Sequence, residues 1–526
     1  MKNNTSTFYH RLAAAITLLA SPLLAEVQPA MVFTDGAVLQ REEPVRIWGK
    51  AAVGEIVTVD FTGQKCSATA DEAGEWMVTL EPLATNAVGE KLTFTGTETP
   101  EPIVLEDVLV GEVWLAGGQS NMASTMTTYR KVTQPDIDSA NDPLLRCFTV
   151  PRLFFPEQKP MAGITWKPSN PQTVGNFTAT GYYFAKNLRE KLNVPIGIIS
   201  CSVGGTPAEA WMSRETLASK PDLKRIIDSY DQHVANAYKD EADYLNQLQE
   251  FENAVKAAAK EGKKKPKPQE LMGPRNFKRP AGLHEGMLTK VIPSTIRGVI
   301  WYQGENNASS STGFHYRRVF STLIEEWRKE FRNPQLPFLF VQLATLDFKD
   351  GPEWPELRDS QLWVEENVAN TGMVVAADGG ERKDIHPHSK KLVGSRLSLL
   401  ARNMVYGEED LVARGPYLKR HRVVGSAIEL DFKNTGSGLV LKKSPENPFE
   451  IAGADGEFFP AQAQLIDDKI RVSAESVSEP KFVRYGWHKW FIPTIYNTED
   501  LPASPFQTGN LPAATEGRFL LDSLNK

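Results

Sequence analysis

Five short apolar runs, each cut off by glycine or polar residues, constrain the fold of this chain more than any other feature. They are Val113–Ala116, Ile196–Ser200, Ile296–Tyr302, Phe338–Leu343 and Met373–Ala377. Unalternated runs of this length read as strands buried on both faces, and the helical stretches between them make the sheet parallel. They end in Gly-Gly-Gln-Ser120, Cys-Ser-Val-Gly-Gly205, Gln303-Gly-Glu-Asn-Asn307, Ala-Thr-Leu-Asp347 and Asp378-Gly-Gly. Ligands of open parallel sheets bind beyond the carboxyl ends of the strands. Five such loops at one edge therefore predict a site.

With 526 residues, two to four domains are expected. The α/β rhythm covers residues 108–406. Before it, residues 26–107 alternate with period two, as in Val45-Arg-Ile-Trp and Ile56-Val-Thr-Val-Asp-Phe, and predict a small β-sandwich. Alternation returns in Ala427-Ile-Glu-Leu-Asp-Phe and Lys469-Ile-Arg-Val-Ser, so residues 407–526 form a second all-β segment. The charged stretch 221–273, with its lysine run Lys260 to Lys267, reads as a solvated helical insertion; a polyanion-binding patch is the alternative.

A net charge of −6 gives no sign of a nucleic-acid partner. Three cysteines (Cys66, Cys147, Cys201) are too few for a disulfide scaffold. Lys2, His10 and Arg11 precede the apolar core Leu12–Leu24, and a cut after Ala25 would make residues 1–25 a signal peptide. The expected location is periplasmic or secreted. No later run reaches the ~18 apolar residues of a membrane span.

The chemistry begins at Gly111-Glu-Val-Trp-Leu-Ala-Gly-Gly-Gln-Ser-Asn-Met122, where a buried strand delivers Ser120 to a helix start whose free N–H groups suit an oxyanion. A capping serine in a glycine-rich turn has the same pattern. A nucleophilic serine needs a base, and the base an orienting acid. Among eight histidines, His386 stands in Lys383-Asp-Ile-His-Pro387, just past the fifth run, with Asp384 two residues before it. Asp384 could instead cap the following helix, or Asp384, His386 and His388 could ligate a metal. Donors for an oxyanion are offered by the backbone of Ser202-Val-Gly-Gly-Thr206 and by the amide of Gln303.

These residues resemble the SGNH (GDSL-like) hydrolases of the sialate O-acetylesterase type. The matching blocks are the Ser120 segment, Gly204-Gly-Thr-Pro-Ala-Glu-Ala-Trp211, Gly298-Val-Ile-Trp-Tyr-Gln-Gly-Glu305 and Asp384-Ile-His-Pro387. The likeness extends to Pro44-Val-Arg-Ile-Trp-Gly49 and Val483-Arg-Tyr-Gly-Trp487. It implies an α/β fold of the SGNH type: a flavodoxin-like parallel sheet with helices on both faces, flanked by the two all-β segments. It also implies Ser120 as nucleophile, His386 as base and Asp384 as acid. The oxyanion hole would use the N–H groups of Ser120 and Gly205 with Gln303. Two departures leave alternatives: Asn306 is a rival to Gln303, and Asp378 to Asp384, because many SGNH enzymes place the acid three residues before the histidine.

The function so implied is a secreted esterase that removes O-acetyl groups from sialic acids, with no cofactor or metal. Acetylxylan or another acetylated polysaccharide is the alternative substrate, and an inactive carbohydrate-binding protein the alternative class. A sialate carboxylate calls for a cation, and Arg130, Arg358 and Arg382 lie near site loops in sequence.

Overall fold

The computed structural model describes residues 26–264, 271–309, 312–347 and 353–518. The expected signal segment 1–25 and residues 265–267 of the lysine run lie outside the described residues. Six strands build the parallel core: β1 (Ile103–Gly118), β2 (Asp142–Thr149), β3 (Ile196–Ser202), β4 (Gly298–Tyr302), β5 (Phe338–Gln342) and β6 (Thr371–Val375). Their spatial order is β2-β3-β1-β4-β5-β6, and each neighbouring pair is parallel. The strand Lys167–Ser169 adds an antiparallel edge beside β2.

The chain leaves β1 for one side of the sheet and returns on the other, so β1 is the topological switch point where such sheets bind ligands. Register makes the point sharper. Gly118 of β1 lies opposite both Ser202 of β3 and Tyr302 of β4. The three strands end level, and the loops that follow begin side by side.

β1 is far longer than its apolar run. Its first half pairs antiparallel with Asn86–Gly96 and parallel with Val38–Gln40, so it passes unbroken from the N-terminal strands into the parallel core. Exposure alternates from Ile103 to Glu106, then every residue from Val108 to Gly118 is buried, because there both faces are covered. β6 begins and ends two residues before the apolar run that marked it. Ala376 and Ala377 are buried inside the turn that follows, so apolarity runs past the last ladder bond.

Helices Ala179–Leu192 and Lys390–Met404 pack as one layer, and Tyr316–Glu330 and Glu353–Asn367 as another. Gly394 permits the first crossing, since a Cβ there would lie 2.8 Å from the Thr180 carbonyl oxygen. Helices Pro221–Ala237 and Glu241–Lys260 occupy the charged stretch. Beyond residue 407 the strands are antiparallel, in two four-stranded sheets and a two-stranded one among the described residues. This region folds back on the core: Ser504 accepts a bond from the Gln342 amide, and Arg358 binds the carbonyls of His488 and Lys489. No helix among the described residues is long and apolar enough to cross a membrane.

Candidate active site

At the end of β1 the chain must turn sharply beside β4. Gly118 has φ +129°, and a Cβ there would lie 2.2 Å from the Tyr302 carbonyl oxygen, so only glycine fits. Gln119 donates its N–H to that carbonyl, and Ser120 opens the short helix Ser120–Ala123. The N–H of Ser120, in the first turn, has no intrahelical acceptor. The loop after β3 closes over it: a Cβ on Gly204 would sit 3.3 Å from Ser120 Cβ, and Gly205 turns away at φ +72°.

His386 comes from the loop after β6, and its Nε2 lies 2.9 Å from Ser120 Oγ. Residues 266 positions apart in sequence thus bring a serine hydroxyl and an imidazole to hydrogen-bond distance, the arrangement a nucleophile and its base require. Asp384 Oδ1 accepts the His386 backbone N–H at 2.8 Å and stands 3.7 Å from Nδ1 of the ring. The carboxylate therefore holds the loop by a hydrogen bond and the ring by charge. Asp378 is engaged elsewhere, accepting two bonds of 2.6 and 2.7 Å from the Arg396 guanidinium. Burial holds His386 below the ordinary histidine pKa; the Asp384 charge opposes this, and the Lys390 ammonium adds to it.

The residues that the sequence offered as an alternative metal set, Asp384, His386 and His388, are not the set the fold gathers. Glu381, Asp384 and His388 bring their ligand atoms within 4.8 Å of one another, while His386 directs Nε2 to Ser120. His388 instead pairs through Nδ1 with Glu381 at 2.8 Å.

Gln303 is wholly buried, and its amide nitrogen has three internal acceptors for two hydrogens: Gln119 Oε1, the Thr206 carbonyl and Asn307 Oδ1. Its oxygen accepts from the Tyr316 hydroxyl at 2.8 Å. That side chain ties the loops after β1, β3 and β4 together. Asn306 is half-buried and gives one amide hydrogen to the Gly205 carbonyl at 2.8 Å, which sets it beside the Gly204–Gly205 turn.

A network that sequence reasoning missed lies directly behind the pair. Asn121, buried next to Ser120, donates to Glu305 and to the Ile385 carbonyl (3.0 Å), and its oxygen accepts from Lys390 Nζ at 2.5 Å. One amide thus joins a buried carboxylate, a buried ammonium and the backbone beside His386. Burial pulls Lys390 down to about 7 and pushes Glu305 up. Asn121 and Glu305 stood inside the motifs quoted above, so adjacency to Ser120 and Gln303 was a usable signal. Lys390 had none, since lysine is ordinarily a surface residue.

The three arginines fare differently. Arg358 is fully buried and binds four main-chain carbonyls, of Leu343, Ala344, His488 and Lys489. Arg382 pairs with Asp347 and Glu446 and lies 4.6 Å over the Trp490 ring. Arg130 is exposed at the start of helix Arg130–Asp138.

Residues 110–253 and 276–403 match the family model described as carbohydrate esterase, sialic acid-specific acetylesterase. The sialate O-acetylesterase of Rattus norvegicus is 28% identical over 523 residues, covering 90% of this chain and 93% of the relative. That of Homo sapiens is 27% identical over 528 residues, covering 91% of each. A crystal structure of a carbohydrate acetylesterase from Xanthomonas citri superposes with a TM-score of 0.76 at 34% identity, covering 92% of this chain and all of that one. The chain belongs to the carbohydrate esterase family of sialic acid-specific acetylesterases, and it is a carboxylic-ester hydrolase acting on acetylated carbohydrate.

Proposed function

We propose that this protein removes O-acetyl groups from sialic acids by a Ser-His-Asp acyl-enzyme mechanism, after export directed by residues 1–25. The observation that carries the mechanism is the 2.9 Å contact between Ser120 Oγ and His386 Nε2. Ser120 attacks the acetyl carbonyl while His386 takes its proton, and Asp384 stabilises the imidazolium that forms. The backbone N–H groups of Ser120 and Gly205, with the remaining amide hydrogen of Asn306, face the oxyanion in this reading. His386 gives that proton to the sugar oxygen as the ester bond to it breaks, freeing the sugar hydroxyl, then takes a proton from the water that attacks the acetyl-enzyme and releases acetate.

A second substrate reading, a neutral acetylated polysaccharide such as acetylxylan, is favoured by the engagement of Arg358 and Arg382 in internal contacts. Acetate release from 9-O-acetyl sialic acid and from acetylxylan separates the two. Ser120→Ala removes turnover in either case. Retention of more than about a thousandth of the wild-type rate, against the 10³–10⁴-fold residual of disabled serine hydrolases over water, would point to another nucleophile. EDTA leaves the rate unchanged; loss of activity restored by zinc would move the chemistry to Glu381, Asp384 and His388. The N-terminal mass of protein recovered from the periplasm or medium checks cleavage after Ala25.

A further inference from the structure

The helical insertion reaches the catalytic loops. Its helices Pro221–Ala237 and Glu241–Lys260 carry a separate aromatic cluster of Tyr230, Tyr238 and Tyr244. All three pin the chain that returns to the core. The hydroxyls of Tyr230 and Tyr238 donate to the carbonyls of Gly273 (3.0 Å) and Met272 (2.7 Å), and Tyr244 accepts the N–H of Arg275 at 3.2 Å. The Tyr244 ring lies against Gly273 so closely that a Cβ there would fall 2.2 Å from it. Buried Asn276 then caps the next turn, accepting the N–H of Lys278 at 2.8 Å. Three residues on, Ala281 donates to the Glu209 carbonyl and fixes this segment to the block that follows Gly204–Gly205.

What the pinned segment presents is Lys278. A Cβ on Gly205 would lie 4.0 Å from Lys278 Cε, and one on Gly204 lies 3.3 Å from Ser120 Cβ. The lysine stem thus borders the turn that borders the nucleophile. Nζ is 5.9 Å from the Phe277 ring, which packs on Phe154 at 5.8 Å. Adjacent Arg279 pairs with Glu285, but no carboxylate among the described residues pairs with Lys278. With its stem half-buried and no internal carboxylate competing for it, the Lys278 ammonium is free to form a charge-assisted hydrogen bond to an anionic ligand. Burial accordingly lowers its pKa, with no acidic neighbour opposing the shift.

We infer that Lys278 is a specificity residue that binds the carboxylate of an acidic sugar whose acetyl ester lies at Ser120, and that the insertion exists in this fold to hold it there. The inference rests on the sialic acid reading above. It assigns to one lysine the recognition that the internally engaged arginines do not supply.

The test compares 9-O-acetyl sialic acid with its methyl ester, which keeps the sugar and the acetyl group and masks the charge. Wild-type kcat/KM favours the free acid by about 10- to 100-fold, mostly through KM, as one charge-assisted hydrogen bond provides. In Lys278→Met the preference falls to near one, and Lys278→Arg restores most of it. A melting curve on each variant separates loss of recognition from loss of fold. An unchanged preference in Lys278→Met, or an equal drop on both esters, overturns the inference while Ser120-dependent hydrolysis keeps the sialic acid reading. A wild-type enzyme inert on both esters but active on acetylxylan overturns both.

Discussion

Replacing Asp384 by Asn isolates the charge of the acid. The Asn oxygen still accepts the His386 N–H, so the loop keeps the 2.8 Å bond that Asp384 makes now. What is lost is the attraction between a carboxylate and an imidazolium whose Nδ1 stands 3.7 Å away. Coulomb's law at that distance gives about 4.5 kcal/mol at an effective dielectric near 20, and about 1.1 kcal/mol in bulk water. The side chains are 42% and 45% exposed, so solvent screening places the effect in the lower part of that interval. A kcat reduction of about 6- to 100-fold follows, less than the ~10⁴ lost when an acid directly bonded to the ring is changed. Steady-state hydrolysis of an acetyl ester across pH reads both the size of the effect and its origin. Because Asp384 raises the His386 pKa, Asp384→Asn also shifts the acid limb of kcat/KM to lower pH. Asp378→Asn instead leaves the buried Arg396 guanidinium without its counter-charge and lowers the melting temperature, at a cost of about 3–5 kcal/mol. A kcat unchanged by Asp384→Asn, or a larger catalytic loss from Asp378→Asn at equal stability, would refute the assignment.

The acid limb of the wild-type profile lies below the ordinary histidine pKa of 6.5, because burial and the Lys390 charge favour the neutral ring that accepts the serine proton. Lys390→Met removes that charge and shifts the limb upward; a downward shift would contradict the coupling. Asn121→Ala strands Glu305 and Lys390 and releases the Ile385 carbonyl, so stability falls by about 3 kcal/mol or more and kcat falls with it. Thermal melting and turnover measured together check this, and a variant that melts early yet turns over normally would remove Asn121 from the positioning of His386.

The parallel core and its loops were legible in the sequence because a strand buried on both faces leaves an apolar run that ends within two residues of its ladder. Ser120 and His386 stood out for the same reason, each placed on a loop directly beyond such a run. Strand limits were less legible wherever apolarity and hydrogen bonding part company: β1 extends outward through alternating residues, and β6 stops before buried Ala376 and Ala377. Side-chain direction was not in the sequence at all. Gln303 and Asn306 carry the same amide chemistry three residues apart. Only the packing of Gln119, Asn307 and Tyr316 around Gln303 assigns it to holding loops together. Asp378 and Asp384 are likewise equivalent until Arg396 is seen on the first and the His386 loop on the second. The sequence by itself determined which loop residues arrive at the sheet edge, since unbroken apolar runs and the loops that end them are local properties of the chain. The tertiary structure decided which of them face one another. Hydrogen bonds between residues hundreds of positions apart, such as Lys390 to Asn121, depend on the crossing of whole elements and leave no local trace.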